Sequence, residues 1–215
     1  MISIITGDII QSQKADLATI WLDPLKNMFS EIGETPHDWE IYRGDSFQLT
    51  AEPEESLRLA ILIKSIIKKI KKPALDVRLA IGIGHAYQQE NRVSESNDEP
   101  FVFSGKLLDE IKSRKVNMAI KTNWPEFDEE INMMLKLALI IMNSWTSNTA
   151  ETAELLFRKP GITQVEIAEI LGLAQSTVND RIKRGSIYEI IELEQYYREK
   201  IMQRTGYRSG NRTYY

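Results

Sequence analysis

The sequence predicts an α/β chain of the α+β kind: an antiparallel sheet with helices on one face, followed by an all-helical rear part. Three observations carry this. Short β-branched runs alternate with helical-period segments as far as Ile120. Two of those runs are separated only by Gly44-Asp45-Ser46, which marks a hairpin. After Trp124-Pro125 every apolar pattern has helical spacing. Consecutive strands without a crossover helix favour an antiparallel arrangement over a doubly wound sheet.

Taken in order, residues 2–6 read as a buried first strand, too short and too β-branched for a helix. From Ala15 to Ile32, apolar residues including Leu17, Trp21, Leu25 and Phe29 recur at helical spacing, and Gly33 stops the helix. Strands follow at 39–43 and 47–51. Pro53 then opens a helix to Lys72, with Leu59, Ile63, Ile66, Ile67 and Ile70 inward and Lys64, Lys68, Lys69, Lys71 and Lys72 on a solvated side. Val77–Ile83 reads as a strand ending in glycines, and residues 86–100 as a polar loop. Ser104-Gly105 opens a short helix to Lys112, and residues 118–120 form the last strand, giving the order βαββαβαβ. Ile131–Met142 is apolar on most faces and is expected to be buried, and Thr146 or Ser147 caps the next helix. The divisions are 1–124 for the front domain, 125–158 for connecting helices, and 159–215 for the rear domain, its last helix and tail.

Composition narrows the function classes. There is no cysteine and there are only two histidines, which excludes disulfides, thiolate metal sites and a multi-histidine zinc site. The longest apolar run, Met133–Met142, is too short to cross a bilayer, and the first residues lack the basic start of a signal peptide. A cytoplasmic protein with no membrane partner is expected. From Arg158 onward there are ten Lys/Arg against seven Asp/Glu, and before it 17 against 24. An acidic front and a basic rear suggest two roles, the rear one facing phosphate.

Residues 162–185 carry the most specific pattern. Thr163 and Glu166 form a capping box, Ala168 is small where helices cross, Gly172 sits where a turn needs positive φ, and Val178 packs the second helix back. The segment resembles the helix-turn-helix of many bacterial regulators and sigma-factor-like domains. In that arrangement the second helix lies in the major groove of double-stranded DNA. Gln175, Ser176, Thr177 and Asn179 would then read base edges or phosphates, and Arg181, Lys183 and Arg184 would contact phosphate. The competing reading is a helix pair used only for packing or dimerisation. A further amphipathic helix runs through Ile187, Ile190, Ile191, Tyr197 and Ile201.

Two carboxylates invite a site in the front domain. Asp8 ends the first strand and Asp45 sits at the hairpin tip. If these elements pair, both reach one sheet edge and suit Mg²⁺, which takes oxygen ligands shared with phosphates. Amides around Ile10, Gln11 and Ser12 would meet the phosphate of a nucleotide. The same residues also suit a plain hairpin turn and a local cap.

The Asp8 and Asp45 placement, the Val77–Gly84 strand and Ser104–Asp109 resemble class III nucleotidyl cyclases and their GGDEF-type cousins over residues 1–122. That resemblance implies a ferredoxin-like palm with two metal-binding aspartates. The sequence departs from it at Asp109 and Ser113, where cyclases carry the Asn and Arg that act on ribose and transition state, so the catalytic set is incomplete. Over nearly its full length the chain also resembles the SatD family of small bacterial proteins associated with stress or acid tolerance. This rests on Ile5-Thr6-Gly7-Asp8-Ile9-Ile10, Trp39–Gln48, Asp76–Gly84, Glu95-Ser96-Asn97 and Ser104-Gly105.

The expectation is a DNA-binding regulator, as a homodimer, whose front domain senses a nucleotide or Mg²⁺. Two rivals stand beside it: an enzyme acting on a nucleoside triphosphate with Mg²⁺, and an interaction protein that uses both motifs for packing.

Overall fold

The computed structural model describes residues 1–42, 44–86, 93 and 98–206. Five strands form one sheet: β1 (Ile2–Ile10), β2 (Trp39–Tyr42), β3 (Ser46–Ala51), β4 (Asp76–Gly84) and β5 (Met118–Lys121), in the order β2-β3-β1-β4-β5. The first four pair antiparallel, but β5 lies parallel to β4, so the sheet is mixed rather than purely antiparallel. β1 runs four residues past its expected end because it is central. Asp8 pairs with Ser46 on one side and Arg78 on the other, which places Asp8 inside the strand.

Eight α-helices lie among the described residues: α1 (Thr19–Ser30), α2 (Ser56–Lys69), α3 (Glu99–Arg114), α4 (Pro125–Ser144), α5 (Ser147–Arg158), α6 (Gln164–Leu171), α7 (Gln175–Arg184) and α8 (Ile187–Thr205). Several boundaries differ from expectation. Pro53–Glu55 is a separate 3₁₀ turn before α2, and α3 begins at Glu99, so Ser104 sits within it. The motif Glu95-Ser96-Asn97 and the tail from Tyr207 lie outside the described residues.

Helices cover both faces of the sheet, which corrects the one-face expectation. Side chains alternate along a strand. Ile5, Ile9, Val77, Leu79, Ile81 and Ile83 join the large core that contains α1 and α2. Ala80 and Ala119 point the other way, into a small cluster with Ile111, Leu107 and Leu108 on and beside α3. Gly82 shows why α3 can approach. A Cβ there would stand 2.2 Å from the Pro100 carbonyl oxygen and 2.6 Å from the Ser104 nitrogen. Glycine on this face of β4 lets backbone meet backbone.

α2 is buried on nearly every side because it is sandwiched between the sheet and the rear helices. Lys64, expected on a solvated side, is fully buried and donates to Asp76 at 2.7 Å. Burial pulls its pKa below the ordinary lysine value, with Asp76 opposing that shift. On the other side Arg58 donates to the Phe157 carbonyl at 2.7 Å, and the Tyr197 hydroxyl meets Ser56 Oγ at 2.6 Å and donates to the Pro53 carbonyl at 2.7 Å. Burial raises the pKa of that tyrosine. One apolar core therefore runs from Ile5 to Ile201 across the expected divisions. α4 departs from its expected full burial, since Met133, Leu137 and Ile140 are exposed.

Candidate functional site

The rear motif folds as its local chemistry dictates. Thr163 Oγ1 accepts from the Glu166 amide at 3.2 Å, and the Glu166 carboxylate accepts from the Thr163 amide at 2.8 Å. The Thr163 amide and hydroxyl both donate to that carboxylate and, with Lys159 adding to them, hold it down at about 2. α6 ends at Gly172 with φ +63°, and the Leu173 amide donates back to the Ala168 carbonyl at 2.9 Å. Val178 and Ile182 of α7 are buried, as are Ile167 and Ala168 of α6.

α5 completes this unit, which the sequence divisions had cut at residue 159. Trp145 Nε1 donates to the Gly185 carbonyl at 2.8 Å. A Cβ on Gly185 would stand 2.3 Å from Thr149 Cγ2, so the α5 start and the α7 end meet closely.

α7 turns its polar side outward. Gln175, Ser176, Thr177, Lys183 and Arg184 are exposed and Asn179 is half-buried. Among the described residues none of these six side chains makes a hydrogen bond or ion pair. Arg181 is different: its side chain is 16% exposed, and its guanidinium donates to Glu151 at 3.0 Å and to the Asn148 carbonyl at 3.3 Å. It braces α7 against α5, leaving Lys183 and Arg184 as the free cations of the helix. Asp180 is exposed between them.

A concavity of about 320 Å³ lies beside this surface, lined by Thr146, Asn148, Thr177, Asp180, Arg181 and Arg184 among others. Sequence reading missed Asn148, which belongs to this surface only because α5 packs on α7. The chemistry on offer is amides and hydroxyls for hydrogen bonding, with two unpaired cations for an anionic backbone.

The front-domain pair is arranged differently. Asp8 and Asp45 adjoin along the backbone, where the Ile9 amide donates to the Asp45 carbonyl at 3.1 Å. Their carboxylates take separate partners. Asp8 accepts from Arg78 Nη1 at 3.1 and 3.2 Å and lies 3.5 Å from Lys112 Nζ. Asp45 accepts from Ser12 Oγ at 2.7 Å. Among the described residues no three acidic or imidazole groups cluster. A shared magnesium ion does not fit this arrangement as built, because two cations already balance the Asp8 charge.

Of the expected phosphate-binding residues, Ile10 ends β1, Gln11 adopts a left-handed conformation with φ +63°, and the Ser12 hydroxyl is committed to Asp45. Asp109 and Ser113 are exposed on α3, and the Ser113 hydroxyl donates to the Glu110 carbonyl. The α3-facing side of the sheet instead holds a polar group that sequence reading did not assemble. Thr6 donates to Ser104 Oγ at 2.8 Å and accepts from Gln48 Nε2 at 3.3 Å. Gln48 Oε1 and Arg78 Nε are buried without a partner.

No helix among the described residues is long and apolar enough to cross a membrane. In comparison with known proteins, the family model described as SatD family aligns with residues 1–203. Neither the curated proteins nor the solved structures contain a match to the chain.

Proposed function

The chain belongs to the SatD family, and on that premise we propose that it is a cytoplasmic regulator that binds double-stranded DNA through α7. The observation that carries this reading is the state of that helix. Its apolar side is spent on α6 and the core, while its polar side is exposed and unspent. A surface helix ordinarily exposes a polar side, and here that side carries two unpaired cations, an amide and three hydroxyl- or amide-bearing neighbours on the helix that follows the Gly172 turn. In this reading α6–Gly172–α7 is a helix-turn-helix with α5 as its supporting helix. α7 enters the major groove, Gln175, Ser176, Thr177 and Asn179 meet bases or phosphates, and Lys183 and Arg184 meet phosphates. The test is fluorescence anisotropy with arbitrary duplex DNA across a salt series. Affinity that falls steeply with salt supports the reading, and no binding at low salt removes it.

A second reading concerns the front domain. The order β2-β3-β1-β4, antiparallel throughout, supports a ferredoxin-like, nucleotidyl-cyclase-like palm. Two of the four buried unpartnered side-chain atoms among the described residues, Gln48 Oε1 and Arg78 Nε, lie on its α3-facing side and favour a polar ligand such as a nucleotide there. Thermal shift with ATP and GTP, with and without Mg²⁺, tests this. A shift that disappears in Asp8→Asn or Gln48→Leu supports nucleotide sensing. No shift under any of these conditions rejects it.

A further inference from the structure

We propose that the outer face of α4 pairs with the α4 of a second copy of this chain, antiparallel about a two-fold axis near Leu137. Met133, Leu137 and Ile140 stand at i, i+4 and i+7, which places them on one stripe. They are 59%, 61% and 70% exposed. The opposite side of the same helix already fills the core with Phe127, Ile131, Leu135, Ala138, Leu139 and Met142. Between Met133 and Ile140 the one charged residue is the exposed Lys136, and α4 is otherwise apolar on two sides and covered on one.

The charges at its ends select the partner. The N-terminal end of the stripe carries exposed Glu126, Glu129 and Glu130. At the C-terminal end Lys68 donates to the Asn143 carbonyl at 2.9 Å, and the chain continues from it into exposed Lys71 and Lys72. An antiparallel copy brings each acidic end to the other copy's lysine-rich end. It also sets the helix dipoles in opposition. A parallel copy would stack like charges at both ends. A self-complementary patch of this kind is what a two-fold interface requires.

The pairing has a geometric consequence that rests on the DNA reading. Ser144 and Trp145 line the concavity beside α7, so each α7 sits near the C-terminal end of its own α4. Seven residues separate Leu137 from Ser144, about 10 Å along a helix. The pairing therefore leaves one α7 on each side of the two-fold axis.

The oligomeric state tests the proposal without DNA, so its failure and that of the DNA reading are distinguishable. Sedimentation of the full chain is expected to give twice the 24.8 kDa of one copy. Leu137→Glu, at an exposed position, is expected to give a monomer with an unchanged circular dichroism spectrum. The chain has no cysteine, so Leu137→Cys is expected to cross-link under mild oxidation, while Ile170→Cys, 60% exposed on α6, does not. Glu129→Lys is expected to weaken the dimer at least tenfold, and adding Lys71→Glu with Lys72→Glu to restore part of it. A monomeric wild type, a dimeric Leu137→Glu, or cross-linking at residue 170 but not at 137 would overturn the proposal and leave the stripe to another partner.

Discussion

Neutralising Lys183 and Arg184 together is the sharpest probe of α7, because the structure separates its three cations into two kinds. Lys183 and Arg184 are exposed and unpaired, whereas Arg181 is held by Glu151 and the Asn148 carbonyl. Each phosphate contact contributes about 0.9 to the slope of log affinity against log salt, so Lys183→Gln with Arg184→Gln should reduce that slope by about 1.8. Over a fourfold change in salt the double variant should then lose about tenfold less affinity than the wild type. Arg181→Gln should leave the slope nearly unchanged. It removes a partly exposed ion pair and should cost about 1 kcal/mol of stability at most. Anisotropy with a labelled duplex between about 50 and 200 mM salt reads the slopes, and urea melts read the stabilities. If the double variant keeps the wild-type slope while Arg181→Gln lowers it, the assignment of α7 as a groove-facing helix with two free cations is wrong.

Other substitutions test the packing that positions this helix and the sheet. Gly82→Ala should destabilise by about 1–3 kcal/mol, since its new Cβ meets backbone of α3 that cannot turn aside. Gly105→Ala, in the same helix with nothing within 4 Å of a new Cβ, should stabilise by about 0.5–1 kcal/mol, and urea denaturation checks the opposite signs. Tyr197→Phe should cost about 1 kcal/mol in the same assay, because Ser56 still donates to the Pro53 carbonyl that the tyrosine hydroxyl leaves. The Glu166 carboxyl is held at about 2 against an ordinary 4.5. Its capping contribution is therefore complete above 4.5 and lost as pH falls toward 2. Melts across that range should show a loss in the wild type that is smaller in Glu166→Gln.

Much of the chain was legible where short-range chemistry decides. The order βαββαβαβ, the hairpin at Gly44-Asp45-Ser46, the Thr163–Glu166 box and the left-handed Gly172 all depend on residues within a turn of one another. The inward side of α7 was also readable from Val178 and Ile182, whereas the half-burial of Asn179 and Arg181 was not. The backbones of Asp8 and Asp45 adjoin as the hairpin pairing suggests, but the partners of their carboxylates were not legible. Arg78 comes from β4 and Lys112 from α3, and no spacing along the chain reveals that these cations meet Asp8.

What the sequence by itself determined is the order and type of the helices and strands and the local caps at Thr146, Thr163 and Gly172, because those preferences arise within a few residues. Tertiary structure alone decided which surfaces are covered. Lys64 looks solvated until the sheet and rear helices enclose α2, and Leu137 looks buried until α4 turns it outward. Arg181 looks free until α5 brings Glu151 beside it. Burial and pairing are properties of the second element in a contact, and that element is chosen by the fold at long range.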